Sequence, residues 1–150
     1  MQLNWSVKPF ETLTVDALYA LLRLRQDVFM LEQECLYPEL DGKDEKAMHL
    51  MGEADGTLVS YARLFAPGDY FSDNASFGRV VTSLQMRGKG LGKQLTKQCI
   101  DQCQQLWPGK TIEISGQEYL NKFYCGFGFE PHGEVYLEDD IDHRRFFLRV

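Results

Sequence analysis

Residues Arg79 to Gly92 read R-V-V-T-S-L-Q-M-R-G-K-G-L-G. A β-branched apolar run leads into glycines at 88, 90 and 92, and a strongly helix-forming stretch follows. The pattern predicts a strand, a turn and then a helix. Alternating glycines at such a junction allow positive φ and expose successive backbone N–H groups. The helix dipole adds roughly half a positive charge at the same point, and Arg87, Lys89 and Lys93 add full charges. A turn of this composition suits a phosphate, and a diphosphate best.

Two common phosphate loops are excluded by spacing. G-x-x-x-x-G-K-[ST] fails because Gly92-Lys93 is followed by Gln94, and Arg87 stands where the first glycine belongs. The dinucleotide fingerprint G-x-G-x-x-G fails because Gly88, Gly90 and Gly92 are spaced G-x-G-x-G. Q-x-x-G-x-G fits, at Gln85, Gly88 and Gly90. Downstream, F-Y-C-G-F-G-F at Phe123 to Phe129 has the form F-Y-x-x-x-G-F. Upstream stand R-x-x-V-F at Arg25 to Phe29, Glu32-Gln33, and Y-P-E-L-D-G-x-D at Tyr37 to Asp44. Together these resemble the GNAT N-acetyltransferases, and the upstream motifs resemble the ElaA-like branch.

At 150 residues with no linker, repeat or low-complexity segment, the chain reads as one domain. A chain of this size buries about 68–70% of its unfolded surface. No apolar run approaches the roughly 18 residues of a membrane span, and no charged-then-apolar leader pattern is seen. A cytoplasmic protein is expected. Net charge is −6, which argues against a nucleic-acid partner. Cys35, Cys99, Cys103 and Cys125 form no C-x-x-C pair, and the three histidines form no metal motif, so neither a metal nor disulfides are expected. Six acids lie between Glu32 and Glu45 and five between Glu134 and Asp142, half of the 22 in the chain.

Periodicity places a first strand around Leu3 to Val7 and a helix from Val15 to Leu31 capped by Thr14. A polar loop follows over Glu34 to Lys46. Ala47 to Ala54 and Thr57 to Phe65 flank Asp55-Gly56 as a hairpin. Phe77 to Thr82 is a strand. Leu91 to Trp107 is a helix presenting Leu91, Leu95, Cys99, Cys103 and Leu106. The chain then continues as strand Thr111 to Ser115, short helix Tyr119 to Phe127, and strands Glu130 to Tyr136 and His143 to Val150 joined by an acidic loop. This is an α+β order. The resemblance implies the GNAT-like arrangement: a mixed, mostly antiparallel sheet of six to seven strands with helices on both faces, and splayed central strands that bind acyl-CoA.

The resemblance further implies acyl transfer from acetyl-CoA, a cosubstrate, to a primary amine. Backbone N–H groups of Arg87, Gly88, Lys89, Gly90, Leu91 and Gly92 would face the pyrophosphate, with Gln85 and Lys93 beside them. The N–H of Val81 would serve as oxyanion donor. Tyr124 would be the general acid, since a phenol stays protonated at neutral pH. Gln117 stands where many members carry Asn. No residue stands out as general base: Glu32, Asp41, His49 and Glu113 are candidates, with Glu113 expected on the cleft-facing side of its strand and Glu32 near the acceptor. Arg63 and Arg79, among apolar strand neighbours, need partners, and the acids near 39 to 44 are expected to supply them.

The resemblance also implies that the loops holding the two acidic segments wall the acceptor side, and their charge is expected to draw in a cation such as a polyamine, lysine or protein α-amine. The acceptor could be a small molecule or a protein, and the chain a monomer or a homodimer. Two other readings stand beside this one. The first is a non-catalytic acetyl-CoA sensor. The second is an acyltransferase of the homoserine-lactone-synthase type fed by acyl carrier protein.

Overall fold

The structure is a computed structural model and describes residues 2–35 and 37–149. Seven strands and three helices are built: β1 (Asn4–Pro9), α1 (Val15–Arg25), β2 (Met48–Ala54), β3 (Thr57–Phe65), β4 (Ser76–Thr82), α2 (Leu91–Leu106), β5 (Ile112–Gln117), α3 (Asn121–Cys125), β6 (Glu130–Glu138) and β7 (Ile141–Leu148). The strands form two antiparallel sheets, β1-β2-β3-β4 and β5-β7-β6. One parallel bridge, Ala75 to Ile112, joins them. The expected α+β architecture is present, with its sheet in two parts.

Strand alternation sorts the two helices onto opposite faces. Leu50, Leu64 and Phe77 face α2, where they pack with Leu95, Cys99 and Cys103, and with Ile112, Ile114 and Phe146 of the second sheet. One apolar core therefore spans both sheets. Met51, Tyr61 and Val81 point the other way, onto Leu21 and Leu24 of α1 and Val28 beyond it.

Several boundaries differ from expectation for local reasons. α1 begins as expected, with Thr14 Oγ1 accepting the Ala17 N–H at 3.0 Å. It gives way after Arg25 to a π-helical turn over Gln26–Glu32, sealed by the Gln33 N–H to the Val28 carbonyl at 3.1 Å. Leu106 is exposed, and Ile100 occupies the buried face instead. The acidic loop is only a two-residue turn: Glu138 pairs with Ile141, and Asp139 and Asp140 both take positive φ. That conformation matches the twist of the flanking strands. The Asp55-Gly56 hairpin turn has the same form. Val150, the expected end of the last strand, lies outside the described residues.

Candidate active site

Among the described residues, β4 and β5 are hydrogen-bonded where they start. Ala75 N–H donates to the Thr111 carbonyl at 3.0 Å, and Glu113 N–H to the Ala75 carbonyl at 2.8 Å. Beyond this point the strands belong to different sheets, and a cavity of about 400 Å³ occupies the opening. All of Ser76–Thr82 lines it on one side and residues 114–117 on the other.

One end of the cavity meets the glycine turn. Gly88 and Gly90 hold φ of 78° and 74°. Nothing lies within 4 Å of where a Cβ would stand at either, so backbone conformation demands glycine there, rather than crowding within the protein. Gly90 caps α2 without a side-chain bond. The first helical bond runs from Gln94 N–H to the Gly90 carbonyl, which leaves the N–H groups of Leu91, Gly92 and Lys93 outside the helical ladder. Gln85, Arg87, Lys89 and Lys93 are exposed around the turn. N–H groups outside the ladder at the positive end of a helix are the make-up that suits an anion.

Tyr124 lines the same cavity. Its ring sits among Phe123, Phe129 and Phe146, at centroid distances of 5.6, 5.9 and 5.2 Å. A Cβ on Gly116 would come within 2.7 Å of it, so the glycine admits the ring against β5. Burial pushes the phenol well above its ordinary pKa. It therefore holds its proton at neutral pH, and its hydroxyl is available as a hydrogen-bond donor. Gln117 also lines the cavity.

The register of β4 corrects the assignment of Val81 as oxyanion donor. Val81 pairs with Tyr61, and Ser83 N–H donates to the Val59 carbonyl. In an antiparallel ladder this turns the N–H of Val81 toward β3. The alternate groups, those of Val80 and Thr82, face the opening. Just before them Arg79 takes φ of 51° at a register shift, which sends its side chain to the α1 side.

The four expected base candidates are all committed elsewhere. Both oxygens of Glu32 receive Arg87, one at 2.7 Å. That hydrogen bond holds the Glu32 carboxyl below its usual value, which makes it a weak base. Glu113 is on the same face of β5 as Ser115, as alternation requires, but at the closed end of the opening. There its carboxylate takes Asn74 at 2.9 Å and pairs with Arg145. Position along the strand, not the face, keeps it from the cavity. His49 is fully buried between the Tyr61 hydroxyl at 2.6 Å and the Asp44 carbonyl at 2.9 Å, and burial lowers its pKa. Asp41 is bound by Arg63 at 2.6 and 2.9 Å. Burial opposes its charge, but the hydrogen bonds from Arg63 and the Lys43 N–H hold the carboxyl well below its usual range.

The ion pairs expected for Arg63 and Arg79 are present, and they are part of a larger cluster. Glu39 Oε2 accepts Nε of both Arg25 and Arg79, each at 2.7 Å. Asp44 Oδ1 accepts Arg25 at 2.7 Å and Arg63 at 3.1 Å. Three arginines thus meet the three carboxylates of Glu39, Asp41 and Asp44. Three of the six acids of the first acidic segment are thus matched by arginines within the cluster.

The far end of the cavity holds residues that the sequence reading did not single out. Ser115 Oγ donates to Glu138 Oε1 at 2.9 Å and is hydrogen-bonded to the Tyr136 hydroxyl. Glu138 Oε2 lies 3.5 Å from Nε2 of His143, which is 7% exposed. Ser115, Glu138 and His143 all line the cavity. The signal was within reach: with Asp139-Asp140 taken as a two-residue turn, Tyr136 falls opposite His143, and Glu138 falls on the same face. No group of three or more potential metal ligands occurs among the described residues.

Comparison with known proteins agrees with this geometry. Residues 20–149 match the family model for the acetyltransferase (GNAT) domain. A Synechocystis protein of family UPF0039 is 40% identical over 151 residues, spanning 100% of this chain and 97% of its own. Escherichia coli ElaA is 38% identical over 143 residues, with 94% and 93% covered, and its crystal structure superposes with a TM-score of 0.91 over 99% and 100% of the two chains. The crystal structure of an acyl-CoA N-acyltransferase from Pseudomonas aeruginosa gives a TM-score of 0.93 at 41% identity, with 98% and 99% covered. The chain belongs to the GNAT acetyltransferase family, in its ElaA-like branch.

Proposed function

We propose that the protein transfers an acetyl group from acetyl-CoA to a primary amine by direct attack on the thioester. The observation that carries this reading is the continuity of one cavity from the uncapped N-terminus of α2 through the β4–β5 opening to Tyr124. The Pseudomonas aeruginosa relative, an acyl-CoA N-acyltransferase by name, supports the same donor. In this reading the turn at residues 87–93 holds the pyrophosphate, and the N–H groups of Val80 and Thr82 face the pantetheine and thioester carbonyl. Each such donor is worth about 3–4 kcal/mol when aimed at the developing oxyanion. Tyr124 hydrogen-bonds the departing sulfur.

Calorimetric titration with acetyl-CoA tests the donor. Micromolar affinity that falls on Gly90→Ala is expected. No binding at millimolar ligand would reject acyl-CoA as donor and direct the test to acyl carrier protein. Acetyl-CoA binding with no acetylation across an amine panel would favour a sensor.

A further inference from the structure

We propose that Glu138 and His143 form the acceptor end of the site, where Glu138 receives a primary alkylammonium and His143 Nε2 takes its proton. This rests on the acyl-transfer reading above and names the substrate class and the base that it leaves open.

Position comes first. Tyr124 packs on the Gly116 face of β5. Ser115 is on the opposite face, bonded to Glu138. The cavity reaches both faces through the opening between the sheets. Donor and acceptor thus approach from opposite sides and meet at the gap.

Charge selects the ligand. Arg63 and Arg79 reach the same cavity, but their charges are met by Asp41, Asp44 and Glu39. Glu138 and Asp139, which also line it, have no such arginine partner among the described residues. A cation is favoured here and an acidic acceptor is not.

Chemistry assigns the base. The Ile141 carbonyl can only accept, so His143 Nδ1 must carry the hydrogen in its 2.7 Å contact. In the neutral ring Nε2 then holds the lone pair, and Glu138 Oε2 at 3.5 Å would stabilise the imidazolium formed when it takes a proton. Tyr136 donates to Ser115, and Ser115 to Glu138, fixing the carboxylate. The groups around the imidazole are Glu138 and the stacked Tyr136 from β6, Gln117 opposite it on β5, and Arg144 beside it on β7. Tyr70, whose phenol is raised by burial and then by Glu138, stands near them from the loop before β4.

The step balances. The ammonium gives one proton to Nε2 and becomes a neutral amine. Its lone pair attacks the thioester carbon, the C–N bond forms and the C–S bond breaks. The second nitrogen proton ends on the coenzyme A sulfur, and the imidazolium returns its own to water.

The test uses n-butylamine as probe and reads coenzyme A release alongside the imidazole resonances of His143 by NMR. In the wild type, n-butylammonium is expected to shift those resonances, and in Glu138→Gln it is not. Glu138→Gln should raise KM for the amine, with partial recovery in Glu138→Asp. His143→Gln should lower kcat by about a hundredfold, in the range of lost general-base catalysis, and remove the acid limb of the pH–rate profile. Both variants should bind acetyl-CoA as the wild type does, which also shows that they fold. Resonances unmoved by n-butylammonium, or kcat and pH profile unchanged in His143→Gln, would overturn the proposal while leaving acyl transfer intact. Failure of the wild type to bind acetyl-CoA would instead reject the acyl-CoA reading, and the NMR titration would still decide the ammonium site.

Discussion

Arg25 and Arg79 donate to one and the same oxygen, Oε2 of Glu39, each at 2.7 Å. Arg25 is fully buried, and it also draws Asp44 at 2.7 Å. A single carboxylate from the loop after α1 thus bridges a cation at the end of that helix and another on the bulge of β4, with Asp44 and Asp41 completing the charge balance.

Glu39→Ala should therefore unfold the protein more easily. Removing one partner of a buried pair costs about 3–5 kcal/mol, because the cations stay behind. The midpoint of a urea transition measures this. A loss below about 1 kcal/mol, the range of surface pairs, would mean that the cluster contributes little to stability.

Tyr124→Phe keeps the ring that fills the space beside Gly116 and removes only the hydroxyl. Turnover should fall by about a hundredfold, as for loss of a positioned proton donor, with acetyl-CoA affinity unchanged. Steady-state kinetics beside calorimetry separates the two. Unchanged turnover would take Tyr124 out of the chemistry.

At Gly90, with φ of 74°, alanine forces a side chain into a left-handed backbone conformation at a cost of about 1–2 kcal/mol. Gly90→Ala should weaken acetyl-CoA about tenfold, 1.4 kcal/mol being one decade. Gly109 has a similar φ of 75° at the far end of α2, so Gly109→Ala should lower stability without touching affinity.

Acid should destabilise the fold in two stages. The pKa of His49 is lowered in the folded state, chiefly by burial. Below about 6.5 the unfolded chain therefore takes up a proton that the folded one refuses, and stability falls. Asp41 and Asp44 are also lowered: their arginine partners outweigh burial. Their contribution is present above about 3.9 and is lost as pH falls further. Thermal midpoints from pH 7 down to 3 should show both declines, and His49→Gln should remove the first. A flat profile between pH 7 and 5 would refute this account of His49.

Local chemistry made the glycine turn and the Asp55-Gly56 hairpin legible, because each is decided by residues within a few positions, whereas Tyr124 was marked only by the family resemblance. Arg79 shows the limit. Its partner was expected among the acids near 39 to 44, but its positive φ breaks the ordinary preference of a non-glycine residue, and no local pattern marks the bulge it sits on. Glu113 shows another. Alternation puts it on the Ser115 face, but its distance from the opening depends on where β4 and β5 part, which no single strand encodes. Glu138 and His143 were hidden by a two-residue turn made of aspartates instead of the usual Asn-Gly or Asp-Gly.

The bridge between Ala75 and Ile112 makes the two sheets a wedge pinned at its vertex. The apolar core behind α2 holds its arms at a set angle. A linear molecule lying between them would complete the interrupted ladder, satisfying strand edges that no neighbouring strand covers. Such a ligand is structural as well as reactive, so the three C-terminal strands should gain the most protection from amide exchange when it binds.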